Sequence, residues 1–239
     1  MKKIQFILLL FISSTALSQN LSIGFRAGIG TYSMSSLDLF QQFRTNQVEL
    51  PFKITESYPA TPFYSAELAL NDLKYIDKIG LFYRFYSTGA RSTVSDYSGR
   101  ADLDAVINGN QLGLNIQKAI YKNGHWSYGF YAEGGYLLSH LKTSDNLAIT
   151  YPEKVSEKQD YSFKSTGYTA EPGIVFCYRL SPVIIQANLG YMFDFSQKLH
   201  LDGNKDMILG TNNGPVSPQW SGLRFSLQVS YLFKKRPKN

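Results

Sequence analysis

The sequence predicts an all-β protein, an eight-stranded antiparallel up-and-down barrel that crosses a membrane with its strands, and three observations carry that prediction. Apolar and polar residues alternate with a period of two along the chain, the connections between alternating segments are short and long by turns, and the first residues read as an export signal. Lys2 and Lys3 give a positive start, Ile4 to Ile12 an apolar run, and Ala16-Leu17-Ser18 a small-residue cleavage site; residues 1–18 are therefore expected to be a signal peptide and 19–239 one barrel domain. The apolar run is about half the roughly 20 residues a spanning helix needs, and no later stretch approaches that length.

The elements follow in order. Aromatic residues make up 15% of the chain, which favours strands. In the first segment Leu21, Ile23, Phe25, Ala27 and Ile29 share one face, and Ser22, Gly24, Arg26, Gly28 and Gly30 the other, because successive strand side chains point oppositely. Similar segments are expected near 62–71, 79–88, 110–120, 126–140, 167–179 and 183–195. The eighth sets Leu223, Phe225, Leu227, Val229, Tyr231 and Phe233 against Gly222, Arg224, Ser226, Gln228 and Ser230.

Connections after the second, fourth and sixth strands are short, spanning 72–78, 122–125 with an Asn123-Gly124 turn, and 180–182. The other four are on the order of 20 to 30 residues, well beyond ordinary hairpin loops. Outer-membrane barrels keep short turns in the periplasm and long loops outside, so an even strand count predicts both termini in the periplasm of a Gram-negative bacterium.

A soluble sandwich or a lipocalin-like barrel also alternates. The greasy face, however, runs through all eight segments, where a soluble sheet leaves one face polar. Aromatics gather at segment ends where interfacial girdles lie: Tyr121, Trp126, Tyr178, Tyr231 and Phe233 on the short-turn side, and Tyr32, Tyr168, Phe193, Phe195 and Trp220 on the long-loop side. With the apolar face outward, Arg26, Glu67, Arg84, Glu133, Glu171 and Arg224 point into the lumen from six strands. Such charges must be paired or lose several kcal/mol, so a structural network is expected, completed by Gln111, Asn115, Gln117, Gln186 and Asn188. Inward glycines, among them Gly173 and Gly190, make room for long side chains, and eight strands enclose only enough space for side chains to fill, which disfavours a diffusion pore.

On these residues the chain resembles the PorT-like outer-membrane barrels of Bacteroidota, within the broader OmpA/OmpX-like type. The resemblance rests on Gly24-Phe25-Arg26-Ala27-Gly28-Ile29-Gly30, Ala66-Glu67-Leu68, Ala170-Glu171-Pro172-Gly173-Ile174 and the terminal Tyr231-Leu232-Phe233, and it covers the mature chain. It implies a fold group rather than an activity. The aromatic terminal strand resembles the signal read by the barrel-assembly machinery, although Lys234 to Asn239 extend past it.

Candidate chemistry is sparse. A lipid A deacylase needs a Ser and a His cooperating on the lipid-facing wall, and Ser139-His140 is the nearest match, but adjacent strand residues point to opposite faces. His125 and His200 lack ligand partners at metal-binding spacing, and Asp202-Gly203-Asn204-Lys205-Asp206 lacks the Gly and closing Glu of a calcium loop. The single cysteine, Cys177, excludes an intrachain disulfide and is expected to be buried and inert. The formal charge of +6 comes from the leader and the tail, between which 18 basic residues balance 18 acidic ones, so no nucleic-acid footprint exists. No catalytic, cofactor or metal site is therefore expected. The expected role is structural, adhesive or accessory, with external loops contacting a surface ligand or envelope protein and the wall contacting outer-membrane lipid and lipopolysaccharide. A secretion accessory and a lipid A-modifying enzyme are the alternatives.

Overall fold

The computed structural model describes residues 20–47, 51–97, 99–149 and 155–234; the expected signal peptide and residues 235–239 of the basic tail lie outside them. In chain order the elements are β1 (Asn20–Gly30), helix α1 (Ser35–Gln47), β2 (Lys53–Ser57), β3 (Thr61–Asn71), β4 (Lys78–Ser95), β5 (Gly99–Asn123), β6 (Trp126–Ile149), β7 (Val155–Leu180), β8 (Val183–Ser196), β9 (His200–Leu201), β10 (Asn204–Ile208), β11 (Gly210–Thr211), β12 (Gly214–Pro215) and β13 (Gly222–Lys234). Eight of them close an antiparallel ring, β1-β3-β4-β5-β6-β7-β8-β13 and back to β1. The seam runs in unbroken register from Asn20 opposite Lys234 to Gly30 opposite Arg224. Closure leaves the eight wall strands without a free edge, so the wall satisfies its backbone groups internally, as a hydrocarbon environment demands.

The wall stands where the alternation puts it. Along β13, Leu223, Phe225, Leu227, Val229, Tyr231 and Phe233 all face outward and are about half exposed. Ten residue steps make about 34 Å of strand, or about 25 Å of height at the usual tilt, which matches the apolar band of a membrane barrel. Three short connections lie at one end: 72–77, the two residues Gly124 and His125, and the two residues Ser181 and Pro182. β1 begins and β13 ends at that same end.

The four long connections are at the opposite end, and two of them continue as wall. β4 and β5 stay paired up to Ser95 opposite Arg100, and β6 and β7 up to Ile149 opposite Val155. These extensions keep the period of two but invert its sign. Ala101, Leu103, Ala105 and Ile107 face inward and are buried, while Arg91, Asp102 and Asp104 sit on the outer parity and bond one another or Thr93. Below the inversion the barrel is greasy outside and polar inside; above it the reverse holds, as in a water-soluble barrel.

The remaining two long connections fold over the mouth. The first carries α1, whose Leu37, Phe40 and Gln41 lie one helical turn apart and are buried against the extensions. Gln41 donates to the Ser92 hydroxyl and to the Leu103 carbonyl, both at 2.8 Å. The second, between β8 and β13, carries β9 to β12, with β9 added to the edge of the β7 extension. Tyr32 and Trp220, expected in the interfacial girdle, instead turn inward. Trp220 is fully buried, donates to the Ser139 hydroxyl at 2.9 Å and packs edge-on against Tyr32 at 5.0 Å. They do so because the segments carrying them cross the mouth, where the apolar side is the inner one.

Candidate functional site

The barrel interior has two tiers. In the lower, Arg26, Glu67, Arg84, Glu133, Glu171 and Arg224 all point inward and are at most 5% exposed. Glu133 sits at the centre, receiving Arg26 at 2.5 Å, Arg84, and the Asn115 amide at 2.8 Å. Arg84 reaches on to Glu171 at 2.8 Å, and Glu171 also accepts the Tyr131 hydroxyl at 2.8 Å. Arg26 lies 3.5 Å from Glu67 and donates to Gln228 at 3.0 Å. The amides of the lower lumen join in: Gln186 donates to Gln117 at 3.0 Å, and Asn188 reaches Ser226 at 3.5 Å. Gln111 links the Tyr86 hydroxyl to Thr169.

Two features escape the sequence reading. Lys78, assigned to a short turn, is instead the first residue of β4, buried, paired with Glu67 and donating to Gln186 at 3.0 Å. It has the same inward parity as Gly80, Phe82 and Arg84, so the signal was an alternation begun one residue too late. Among the described residues the buried ion-pair network thus holds four cations against three glutamates, and Asp194, half-buried on the inward parity of β8, stands above it and accepts the Trp220 backbone N–H at 2.9 Å.

The second feature is aromatic. The Arg224 guanidinium lies 3.8 Å from Glu171, its Nε and Nη1 make no hydrogen bond, and it rests 4.3 Å from the Tyr86 ring centre and 5.3 Å from that of Phe63. Arg84 likewise lies 4.8 Å from Phe82 and 5.2 Å from Phe63. Ring faces offset part of what burial of the surplus cation costs. Gly173 and Gly190 leave space that the Tyr131 ring occupies; a methyl group at Gly173 would overlap that ring.

The upper tier is an apolar plug in which Met34, Leu37 and Phe40 of the α1 region meet Ile107, Leu137 and Leu141 of the extensions, with Met192, Val216 and Trp220 completing it. Tyr58 is buried there with its hydroxyl unpartnered, and burial pushes its ionisation above the ordinary tyrosine value. At the short-turn end a cavity of about 130 Å³ is bordered by Lys78, Gln117, Cys177 and Gln186. Cys177 is half-buried rather than buried, because it borders this cavity, and its sulfur accepts from Gln186 at 3.0 Å. Beside the cavity, in the turn, burial works to raise the Asp77 carboxyl, but Lys122 and the Ala119 backbone N–H outweigh it and hold it below the usual carboxylate value.

Ser139 and His140 lie on opposite faces: Ser139 is buried under Trp220, while the His140 ring faces outward and meets the Ser162 hydroxyl at 2.5 Å. His125 Nδ1 donates to the Arg179 carbonyl at 2.9 Å in the short turn. Gly203 forms the turn between β9 and β10 with a positive φ of 90°, so the Asp202–Asp206 run is a hairpin. Among the described residues no group of three or more His, Cys, Asp or Glu is placed to hold a metal ion.

No protein-family model matches the chain, and no curated protein matches it in sequence. Among solved structures, it is similar to a major outer membrane protein from Thermus thermophilus, with 14% identity over 89% of this chain and 99% of that one, at a TM-score of 0.49. It is also similar to Ail, the attachment invasion locus protein of Yersinia pestis (13% identity, 90% and 99% covered, TM-score 0.36). A third similarity is to Neisserial surface protein A (10% identity, 90% and 97% covered, TM-score 0.37). Likeness at this level carries no functional argument; the closed ring of eight antiparallel strands rests on the chain's own geometry.

Proposed function

We propose that the chain is an outer-membrane barrel with a filled lumen, acting as a structural, adhesion or accessory component of the cell envelope through its folded external cap. The observation that carries this reading is the inversion of wall polarity. A greasy belt encloses a buried ion-pair network, and above it a polar-faced collar is plugged by α1 and Trp220. A wall of that kind is stable only with its lower band in hydrocarbon and its upper band in water. The lumen side chains act as a scaffold: Arg84, Asn115 and Trp220 are wholly excluded from solvent and fill the cross-section.

Within this class, kinship to PorT-like barrels rests on the strand motifs alone, and a secretion role would need a partner bound at the cap. Lipid A hydrolysis through Ser139 and His140 is disfavoured, since the two side chains lie on opposite sides of the wall.

The orientation is tested by single cysteines in a Cys177→Ser background, labelled in intact cells with a membrane-impermeant maleimide. Tyr97→Cys, at the tip between β4 and β5 where Tyr97 is 92% exposed, should label on intact cells. His125→Cys, in the short turn, should label only after lysis. The opposite pattern would invert the protein, and labelling of neither until lysis would remove it from the cell surface.

A further inference from the structure

The outer face of β6, β7 and β8 carries two cross-strand rows at different heights. The lower row is aromatic: Tyr136 stands opposite Tyr168, and Tyr168 opposite Phe195, all pointing out and 42%, 68% and 64% exposed. Four residues further along β6 the row is basic: His140 stands opposite Lys164, and Lys164 opposite His200 of β9. The rise between them is about 14 Å of strand, or about 10 Å of height at the usual tilt. That is the step from the edge of a hydrocarbon layer to the headgroups above it.

A cleft of about 720 Å³ lies along the same stretch, beside the basic row and above the aromatic one, bordered by Thr166, Ser196, Gln197, Lys198, His200 and Lys205 among others. Its volume is in the range of small-molecule sites. None of the nine residues bordering it is a carboxylate. Of the acids next to it, Asp202 pairs with Lys164 at 2.7 Å and Asp194 accepts from the Ser196 hydroxyl at 2.6 Å. Lys198 and Lys205 make no ion pair among the described residues, as Lys142 makes none, whereas Arg91, Arg100, Lys158 and Lys164 at the same end of the wall do. Hydroxyl and amide groups of Thr166, Ser196 and Gln197 share the cleft with the two free ammonium groups.

We infer that this cleft binds the phosphorylated sugar headgroup of an outer-leaflet glycolipid, with Lys198 and Lys205 on the phosphate and the acyl chains lying down the Tyr136–Tyr168–Phe195 row. The inference rests on the outer-membrane reading. The chemistry is that of an anion with neighbouring hydroxyls, which a soluble sugar phosphate shares; the aromatic row directly beneath the cleft commits the site to an amphiphile. A phosphate held by two lysines at a membrane surface gains about tenfold or more in binding over one held by none.

The test uses the whole barrel inserted in phosphatidylcholine vesicles, re-extracted into mild detergent, and offered a diphosphorylated lipid A, its dephosphorylated form and glucose 1-phosphate in turn, with bound ligand counted by native mass spectrometry. The wild-type protein should retain the phosphorylated glycolipid about tenfold or more better than Lys198→Gln/Lys205→Gln, and better than it retains the dephosphorylated form. Lys74→Gln, at the short-turn end, should match wild type. Equal retention by the double variant, in a protein that inserts and shows a heat-dependent gel shift, overturns the cleft and leaves the barrel reading intact. Full displacement of the glycolipid by glucose 1-phosphate assigns the cleft to a soluble anion and overturns the lipid assignment. Failure to insert at all overturns the outer-membrane reading and this inference with it.

Discussion

Glu133 is where the lumen can be broken most cleanly. Its carboxylate is fully buried and receives Arg26, Arg84 and Asn115. In Glu133→Gln the shape is kept, but the buried ion-pair network goes from four cations and three glutamates to four and two. Arg26 keeps Gln228 and a distant Glu67, while Arg84 keeps Glu171 alone among carboxylates. Removing one partner of a buried pair costs about 3–5 kcal/mol, because the remaining charge stays desolvated. With a urea slope of about 2 kcal/mol per M, the unfolding midpoint should fall by about 1.5–2.5 M. Trp220, sealed in the mouth, supplies the fluorescence signal. The internal control is Asp104→Asn on the outer collar, where Arg91 is 55% exposed at the side chain; that pair should be worth less than about 1 kcal/mol. Adding Arg26→Gln to Glu133→Gln should cost less than the two single changes together, because it removes a stranded cation. Equal midpoints for Glu133→Gln and Asp104→Asn would refute the claim that the lumen charges hold the wall together.

Trp220→Ala empties the centre of the plug and removes the bond to Ser139; it should lower stability by about 3–5 kcal/mol in the same assay, and a loss under about 1 kcal/mol would show that the cap packs loosely. Gly173→Ala drives a methyl group into the Tyr131 ring and should cost about 1–3 kcal/mol, whereas Gly134→Ala, where a methyl group would meet only the Thr169 carbonyl at 3.7 Å, should cost much less. Asp77 carries a pH signature. Its folded-state pKa is depressed below the ordinary 3.8, so its contribution is present above that pH and is lost as pH falls through the lower folded value. Wild type should exceed Asp77→Asn by less than about 1 kcal/mol at pH 7, since its partners Lys118 and Lys122 are about 60% exposed, and the two should converge once pH has fallen below that folded value. A gap that widens in acid would reverse the assignment.

The strand cores were legible because alternation is a local property of the chain. Arg26, Glu67, Arg84, Glu133, Glu171 and Arg224 share the parity of the small residues beside them, so strand geometry alone sends them inward. What alternation hid was its own continuation. Ala101 to Ile107 alternates as strictly as Leu223 to Phe233, but with the charged residues outward, and a reading tuned to an outward greasy face takes Asp102 and Asp104 for loop. The helix was hidden differently: Leu37, Phe40 and Gln41 have helical spacing, yet most of the remaining helix is polar, because only one side of it covers the mouth. Lys78 was lost to a strand boundary misplaced by one residue. The guanidinium–ring contacts of Arg84 and Arg224 join β3, β4, β13 and the segment after β1, and no local pattern encodes which rings meet which cation across a closed barrel.

The claim on which the rest depends is that this wall stands in a membrane as a closed barrel. Protein from purified outer membranes, run on a detergent gel without boiling and again after boiling, tests it directly. A closed barrel resists the detergent cold, so the unheated band should migrate apart from the heated one, and Glu133→Gln should lose that shift at a lower temperature than wild type. A chain recovered from the soluble periplasmic fraction with no heat-dependent shift would contradict the account and return the alternation to a water-soluble β-fold.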